Sequence, residues 1–172
     1  PDRLAAALAW LWFVNLYNFM DGIDGLAGIE TAAIGGGLAL LLAAAGHGLA
    51  DAAMAAVLAG AALGFLVWNW HPARIFMGDV GSIPVGFLLG WLLIRGAAAG
   101  SWPLALILPA YYWADATLTL LRRLLRGERI WQAHRAHFYQ RATRGGFSHA
   151  DVVRQVLWFD LLLIGLGWVS GL

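Results

Sequence analysis

Two amides and two carboxylates recur at three-residue intervals in Asn15-Leu-Tyr-Asn18-Phe-Met-Asp21-Gly-Ile-Asp24-Gly-Leu-Ala-Gly28, a polar stretch inside a very apolar sequence. Helical spacing puts Asn15, Asn18 and Asp21 along one stripe as far as the helix runs. Gly22 and Gly25 then let the backbone turn and come close to a ligand. Carboxylates at the edge of a bilayer are costly to bury, so they face a partner, a metal or water. Asp21 and Asp24 offer hard oxygen ligands, and Mg²⁺ takes one or two carboxylates while keeping waters and substrate phosphates. The acids do not alternate as an EF-hand loop requires. The structural alternative is a polar turn capping two helices, and the asparagines inside the apolar segment weigh against it.

A second group lies in Trp68-Asn-Trp-His-Pro-Ala-Arg74-Ile-Phe-Met-Gly78-Asp79-Val-Gly81-Ser82. Gly78 and Gly81 flank Asp79 just before a helix, where backbone N–H groups favour an anion and a carboxylate holds a cation beside it. Arg74 adds a phosphate-competent donor. The third group is basic: Trp131-Gln-Ala-His134-Arg135-Ala-His137-Phe-Tyr-Gln-Arg141. A helical reading puts His134, His137 and Arg141 on one face, with Trp131 and Phe138 at the membrane interface. Zinc is disfavoured because no third ligand is near and the arginines oppose a cation. Phosphate or pyrophosphate suits the mixture, with histidine able to carry a proton. An interfacial helix drawn to anionic lipid is the alternative.

These groups must be positioned by membrane helices. Hydrophobic residues make up 61% of the chain, charged ones 12%, and mean hydropathy is +0.71. Such values belong to integral membrane proteins. Net charge is +1, so bulk charge gives no sign of a nucleic-acid partner, and none is expected. The absence of cysteine excludes disulfides and thiolate metal sites. No signal peptide is visible before the first apolar run.

The expected fold is all-α and polytopic, a single membrane domain over 1–172. About six spans are drawn at 4–20, 29–46, 52–70, 80–95, 102–121 and 152–171, against the ~20 residues that crossing requires. Pro84 implies tilt, a kink or continuation of the fourth span into its loop. The pairs Gly60/Gly64 and Gly86/Gly90 have the spacing of close helix packing. Eight of the eleven arginines lie between Arg122 and Arg154, and Arg74 sits in an earlier loop. The positive-inside rule and parity then put loops 21–28, 70–81 and 122–151 together on the cytoplasmic side. Three polar loops on one face are what one active site between helices requires. Asp115 and Asp160 are read as structural, Asp115 through an ion pair or hydrogen bond, Glu30 as a carboxylate near a helix N-terminus, and His47 and His149 get no role. A transporter is the rival function, since membrane carboxylates also mark ion paths. Against it, the acids gather at one face and no inverted repeat is apparent.

The stretches NLYNFMDGIDGLAG, NWHPARIFMGDVGSIPVGFLLG and DATLTLLRRLLRGERIWQAHRAHFYQR, in this order, resemble the polyprenyl-phosphate N-acetylhexosamine-1-phosphate transferases. The likeness runs from about Leu4 to Val153, and the His-Arg-Ala-His form is more similar to the O-antigen and lipopolysaccharide branch than to the peptidoglycan translocase. The resemblance implies transfer of sugar 1-phosphate from a UDP-N-acetylhexosamine to undecaprenyl phosphate in the bacterial inner membrane, releasing UMP and using Mg²⁺ or Mn²⁺. It implies Asp79, Asp21 and Asp24 around the metal, and Asn15 and Asn18 with them around the nucleotide. His134, His137 and Arg141 fall on the phosphates, with Arg74 and Arg135 as further anion donors, and membrane lipid surrounds the site. A homodimer is left open. Members of this family carry more helices and an acidic pair on an earlier loop, which nothing before Asn15 supplies. The chain is therefore expected to be the C-terminal part of a larger enzyme, and a non-catalytic scaffold is a further alternative.

Overall fold

The computed structural model describes residues 2–46, 48–129, 132 and 134–169. His47 and Trp131 lie outside the described residues. The chain is an all-α membrane protein built of α1 (Asp2–Met20), α2 (Leu26–Ala44), α3 (Leu49–Asn69), α4 (Gly78–Gly96), α5 (Trp102–Ile107), α6 (Ala110–Leu125), α7 (Phe138–Arg144) and α8 (His149–Val169). Among the described residues, four stretches are long and apolar enough to cross a bilayer: Leu26–Ala44, Leu49–Asn69, Gly78–Ile107 and His149–Val169. Of the other two expected spans, 4–20 falls on α1. Span 102–121 is divided between α5 and α6 at Leu108 and Pro109.

Helix α2 is the centre, buried along most of its length, while α3, α4 and α8 turn most of their apolar side chains outward. That inversion suits a lipid surround, where exposed leucine carries no penalty. Contact between helices therefore depends on shape. A Cβ at Gly90 would lie 2.7 Å from the Trp10 ring, and one at Gly86 would lie 3.0 Å from Tyr17, so α1 and α4 meet through these glycines. The other pair does not pack: Gly60 and Gly64 have no described atom within 4 Å of a Cβ position. Helix α3 instead meets α2 through its alanine face, with Ala55 O only 2.9 Å from where a Cβ of Gly35 would stand.

Helix α4 runs through Pro84, and the break comes at Gly100, whose φ of 106° a residue with a Cβ rarely adopts. The chain reverses there, so that Ala105 and Trp113 lie beside Gly90 and Leu93 around one small cavity. Glu30 differs from its expected place near the helix start. It is the fifth residue of α2 and fully buried; the oxygens of Glu30 and Asp160 and the Tyr112 hydroxyl have no hydrogen-bond partner among the described residues.

Candidate active site

The end of α1 is anchored before it turns. Buried Tyr17 donates its hydroxyl to Ala27 O at 2.9 Å and also meets the Thr31 hydroxyl, tying α1 to the first turns of α2. Helix α1 stops at Met20, so Asp21 leaves the stripe that Asn15 and Asn18 occupy. Asn15 is exposed and donates to Leu11 O at 2.8 Å, within its own helix. Asn18 reaches across to α4, accepting from the Ser82 hydroxyl at 2.5 Å.

Asp21 faces the start of the same helix. Its Oδ2 accepts from Gly78 N at 3.1 Å. Helix α4 begins at Gly78, so Asp79 stands in the first turn and not before it. Burial raises the Asp21 pKa above its ordinary value; the Gly78 N–H offsets part of this, and the charge of exposed Asp79 adds to the rise. Two hard carboxylates whose like charges oppose each other are donors of the type that suits a small divalent cation such as Mg²⁺, although the helix N-terminus beside them favours an anion.

Asp24 has a different environment. Its Oδ2 meets His71 Nδ1 at 2.7 Å and Ala73 N at 3.1 Å, with His149 Nδ1 at 3.4 Å. The Asp24 N–H also points at His149 Nδ1, 3.3 Å away. Burial pushes this carboxyl up, but the hydrogen bonds from His71 and Ala73 and the nearness of His149 outweigh it and hold the pKa below the ordinary range. Ligand-type atoms of Asp24, His71 and His149 all lie within 4.8 Å of one another. With its Oδ2 already accepting from His71 and Ala73, Asp24 fastens loops; Asp21 is the acid that bears on Asp79.

Asn69 makes the same connection through amides. Buried at the end of α3, it accepts from Gly25 N at 2.9 Å and donates to Ile75 O at 2.8 Å. Gly25 has a φ of 82°, which favours glycine at this turn. Loops 21–25 and 70–77 and the head of α8 are thereby one unit. Arg74 stays exposed at its rim, 5.8 Å from the Trp68 ring centre.

The basic loop is organised from α6. Asp115, fully buried, accepts from Phe138 N at 2.9 Å, Tyr139 N at 3.3 Å, His137 Nδ1 at 3.1 Å and the Thr119 hydroxyl at 3.2 Å. It caps α7 from outside and satisfies donors that a helix start otherwise leaves free. This corrects the expectation of one helical face for His134, His137 and Arg141: the helix begins at Phe138, because that is where Asp115 takes the free N–H groups. His134 lies ahead of it, its ring 4.8 Å from that of His137. His137 is 2% exposed, so His134 is the outer of the two imidazoles. Burial first, then the charges of Arg123 and His137, lower the His134 pKa. Tyr139 closes the arrangement by donating to Phe19 O at 3.1 Å, directly over Gly22. Arg135 and Arg141 are exposed, and Arg141 lines a separate arginine cavity. Sequence reasoning missed Asn69, His71, Ser82 and His149. Asn69 had a visible signal, an amide at the end of an apolar span like Asn15 and Asn18.

A sequence model of glycosyl transferase family 4 matches residues 3–97, more than half of the chain. The chain belongs to glycosyl transferase family 4. That match contains both the Asn15–Gly28 and Trp68–Ser82 groups, so the two acidic loops lie inside the family's shared region. Individual relatives extend the likeness. The chain is 31% identical to a probable undecaprenyl-phosphate N-acetylglucosaminyl 1-phosphate transferase of Bacillus subtilis, over 85% of this chain and 42% of the relative. It is 37% identical to a phospho-N-acetylmuramoyl-pentapeptide-transferase of a Synechococcus species, over 98% of this chain and 52% of the relative. Against the decaprenyl-phosphate N-acetylglucosaminephosphotransferase of Mycobacterium tuberculosis it is 33% identical, over 88% and 43%. The chain spans about half the length of these family 4 relatives.

Proposed function

We propose that the whole protein transfers N-acetylhexosamine 1-phosphate from a UDP-sugar to undecaprenyl phosphate, giving the lipid diphosphate sugar and UMP. The observation that carries this reading is the joining of three polar loops at one end of the bundle, by Asp24 to His71 and His149 and by Asp21 to the start of α4. The similarity to three phosphosugar transferases with different acceptors and sugars supports the reaction class. The loops face the cytoplasm of a bacterial inner membrane, and the reaction starts an envelope polysaccharide of the O-antigen type.

In the reaction an oxygen of the lipid phosphate attacks the phosphorus attached to the sugar. The bond from that phosphorus to the oxygen bridging it to the uridine phosphate breaks, and UMP leaves with the electron pair. A phosphate nucleophile is largely ionised near neutral pH, so no base is needed and the catalytic task is alignment and charge neutralisation. Asp21 and Asp79 would hold Mg²⁺, which supplies charge neutralisation at the phosphates. Gly78 N and Ser82 keep Asp21 and Asn18 aimed into the same end of the bundle. Asp24 holds the turn against loop 70–77, so that the two acidic loops move together. His134 presents a donor to the phosphates, while Asp115 and His137 set its position. An apolar cavity of about 370 Å³ between α6, α7 and α8, lined by Tyr111, Phe138, Val156 and Phe159 among others, suits a prenyl chain.

UMP release by the purified full-length protein tests the reading, with undecaprenyl phosphate, UDP-N-acetylglucosamine and other UDP-N-acetylhexosamines, with and without Mg²⁺. Asp79→Asn should lower turnover about a hundredfold. Unchanged turnover in that variant would remove Asp79 from the metal, and no UMP from the wild type with any of these donors would overturn the transferase reading.

A further inference from the structure

Asp24, His71 and His149 come from the turn after α1, the loop after α3 and the first residue of α8. Both imidazoles present Nδ1 to one carboxylate, His71 at 2.7 Å and His149 at 3.4 Å from Oδ2, with the two ring centres 5.0 Å apart. Hydrogen bonding accounts for His71 but leaves His149 in conflict. With Nδ1 bare, His149 accepts from the Asp24 N–H at 3.3 Å and sets a lone pair against Oδ2; with Nδ1 protonated, it donates to Oδ2 and sets that proton against the same N–H. A cation lying between Nδ1 and the carboxylate satisfies the bare tautomer. Nitrogen and oxygen donors around a tetrahedral ion stand about 3.3 Å from each other, which is close to the 3.4 Å found for His149. His71 reaches the same separation by giving up its hydrogen bond and moving outward by roughly half an ångström. The imidazoles are 39% and 35% exposed, so an ion has a path from water, and no arginine pairs with Asp24 among the described residues.

We propose that Asp24, His71 and His149 bind a borderline transition-metal ion such as Zn²⁺, separate from the Mg²⁺ of the transfer. Two imidazoles and a carboxylate suit zinc, cobalt or nickel, whereas Mg²⁺ prefers an all-oxygen surround. Neither Asp21 nor Asp79 belongs to this group, and Asp21 turns its Oδ2 to Gly78 N instead. The Ala73 N–H, 3.1 Å from Oδ2, orients the carboxylate from outside the metal, as donors behind a ligand commonly do. Three protein ligands leave a fourth position for water. The ion replaces hydrogen bonds by coordinate bonds among the turn, loop 70–77 and the head of α8, and so stiffens this end of the bundle. The claim is independent of the transferase reading, because binding is measured without turnover.

Titration with Zn²⁺ against a chromogenic chelator provides the test, on full-length protein purified without a histidine tag and stripped of metal. One Zn²⁺ per chain should bind at this site and resist a large excess of Mg²⁺, and Co²⁺ in its place should show the visible absorption of a four-coordinate ion. His71→Gln and His149→Gln should each weaken Zn²⁺ binding about a hundredfold and remove that absorption. Glutamine keeps a donor toward Asp24 at these part-exposed positions, so metal-free melts matching the wild type are expected; if one variant unfolds, the other serves. Zn²⁺ should raise the melting temperature of the wild type and of neither variant. Asp79→Asn should leave Zn²⁺ binding unchanged, as should His134→Gln, which alters the other adjacent pair of imidazoles. No Zn²⁺ retained by the wild type, retention undiminished in both His71 and His149 variants, displacement by Mg²⁺, or an equal loss in His134→Gln would sink the proposal and leave the three groups a hydrogen-bonded fastener only.

Discussion

A Cβ at Gly22 would stand 2.1 Å from the Tyr139 hydroxyl, which is itself bonded to Phe19 O. Gly22→Ala should therefore push α7 off the end of α1 and cost about 1–3 kcal/mol, read as a lowered unfolding temperature. Adding Tyr139→Phe should recover part of this, because it removes the closest atom, the hydroxyl, while ring carbon Cζ still stands 2.9 Å from the added Cβ. At Asp115 the geometry separates two roles. Asp115→Asn keeps an acceptor for Phe138 N but weakens the hold on His137, so it should alter the pH profile of turnover more than the melting temperature. Asp115→Ala leaves buried donors unmatched and should lower both. Asp21 carries a sign that differs from an ordinary surface carboxylate. Its pKa is raised, so the neutral acid is favoured on folding, and that contribution is present at low pH and lost as pH rises through the raised value. The Mg²⁺ proposed for this site would compete with that proton. As pH is lowered, its affinity, measured by calorimetry, should be lost already at a pH above the ~3.9 of a free aspartate, and Asp79→Asn should move that loss to lower pH by removing the repulsion.

Helices in this molecule are told apart by what fills the gap between them. Exposed leucine is neutral toward lipid, so α1 and α4 owe their contact to the space at Gly86 and Gly90. Gly90→Leu should separate them and displace Asn18 from Ser82, with loss of thermal stability and of activity together. Leu at Gly60 or Gly64 should change neither, since no described atom lies near those positions. The spacing of small residues is identical in the two pairs, and only the partner helix distinguishes them. Helix α7 depends on its neighbours even more. Seven residues are too few to hold a helix alone, and the cap that starts it comes from Asp115 on α6, more than twenty residues earlier.

Across the whole molecule, Asp24 is the point where distant segments meet, binding His71 and His149 from 47 and 125 residues away. Asp24→Ala should free loop 70–77 and raise its amide exchange without melting α2, whose burial is elsewhere. The Asp24 pKa is lowered, so its contribution to stability is present above ~3.9 and is lost only as pH falls through the lower folded value. Composition placed the chain among membrane proteins, and the length of its apolar runs made it helical. Motif order alone also established the family likeness and singled out Asp21, Asp24 and Asp79. The tertiary structure decided how these acids divide, with Asp21 set toward Asp79 and Asp24 drawn to two histidines. It also decided which glycines pack and which histidine is outermost. Local spacing reports which face of a helix a residue occupies. It carries no information about the residue that a distant loop brings against that face, and in this chain such contacts help move the pKa of Asp21 up and that of Asp24 down.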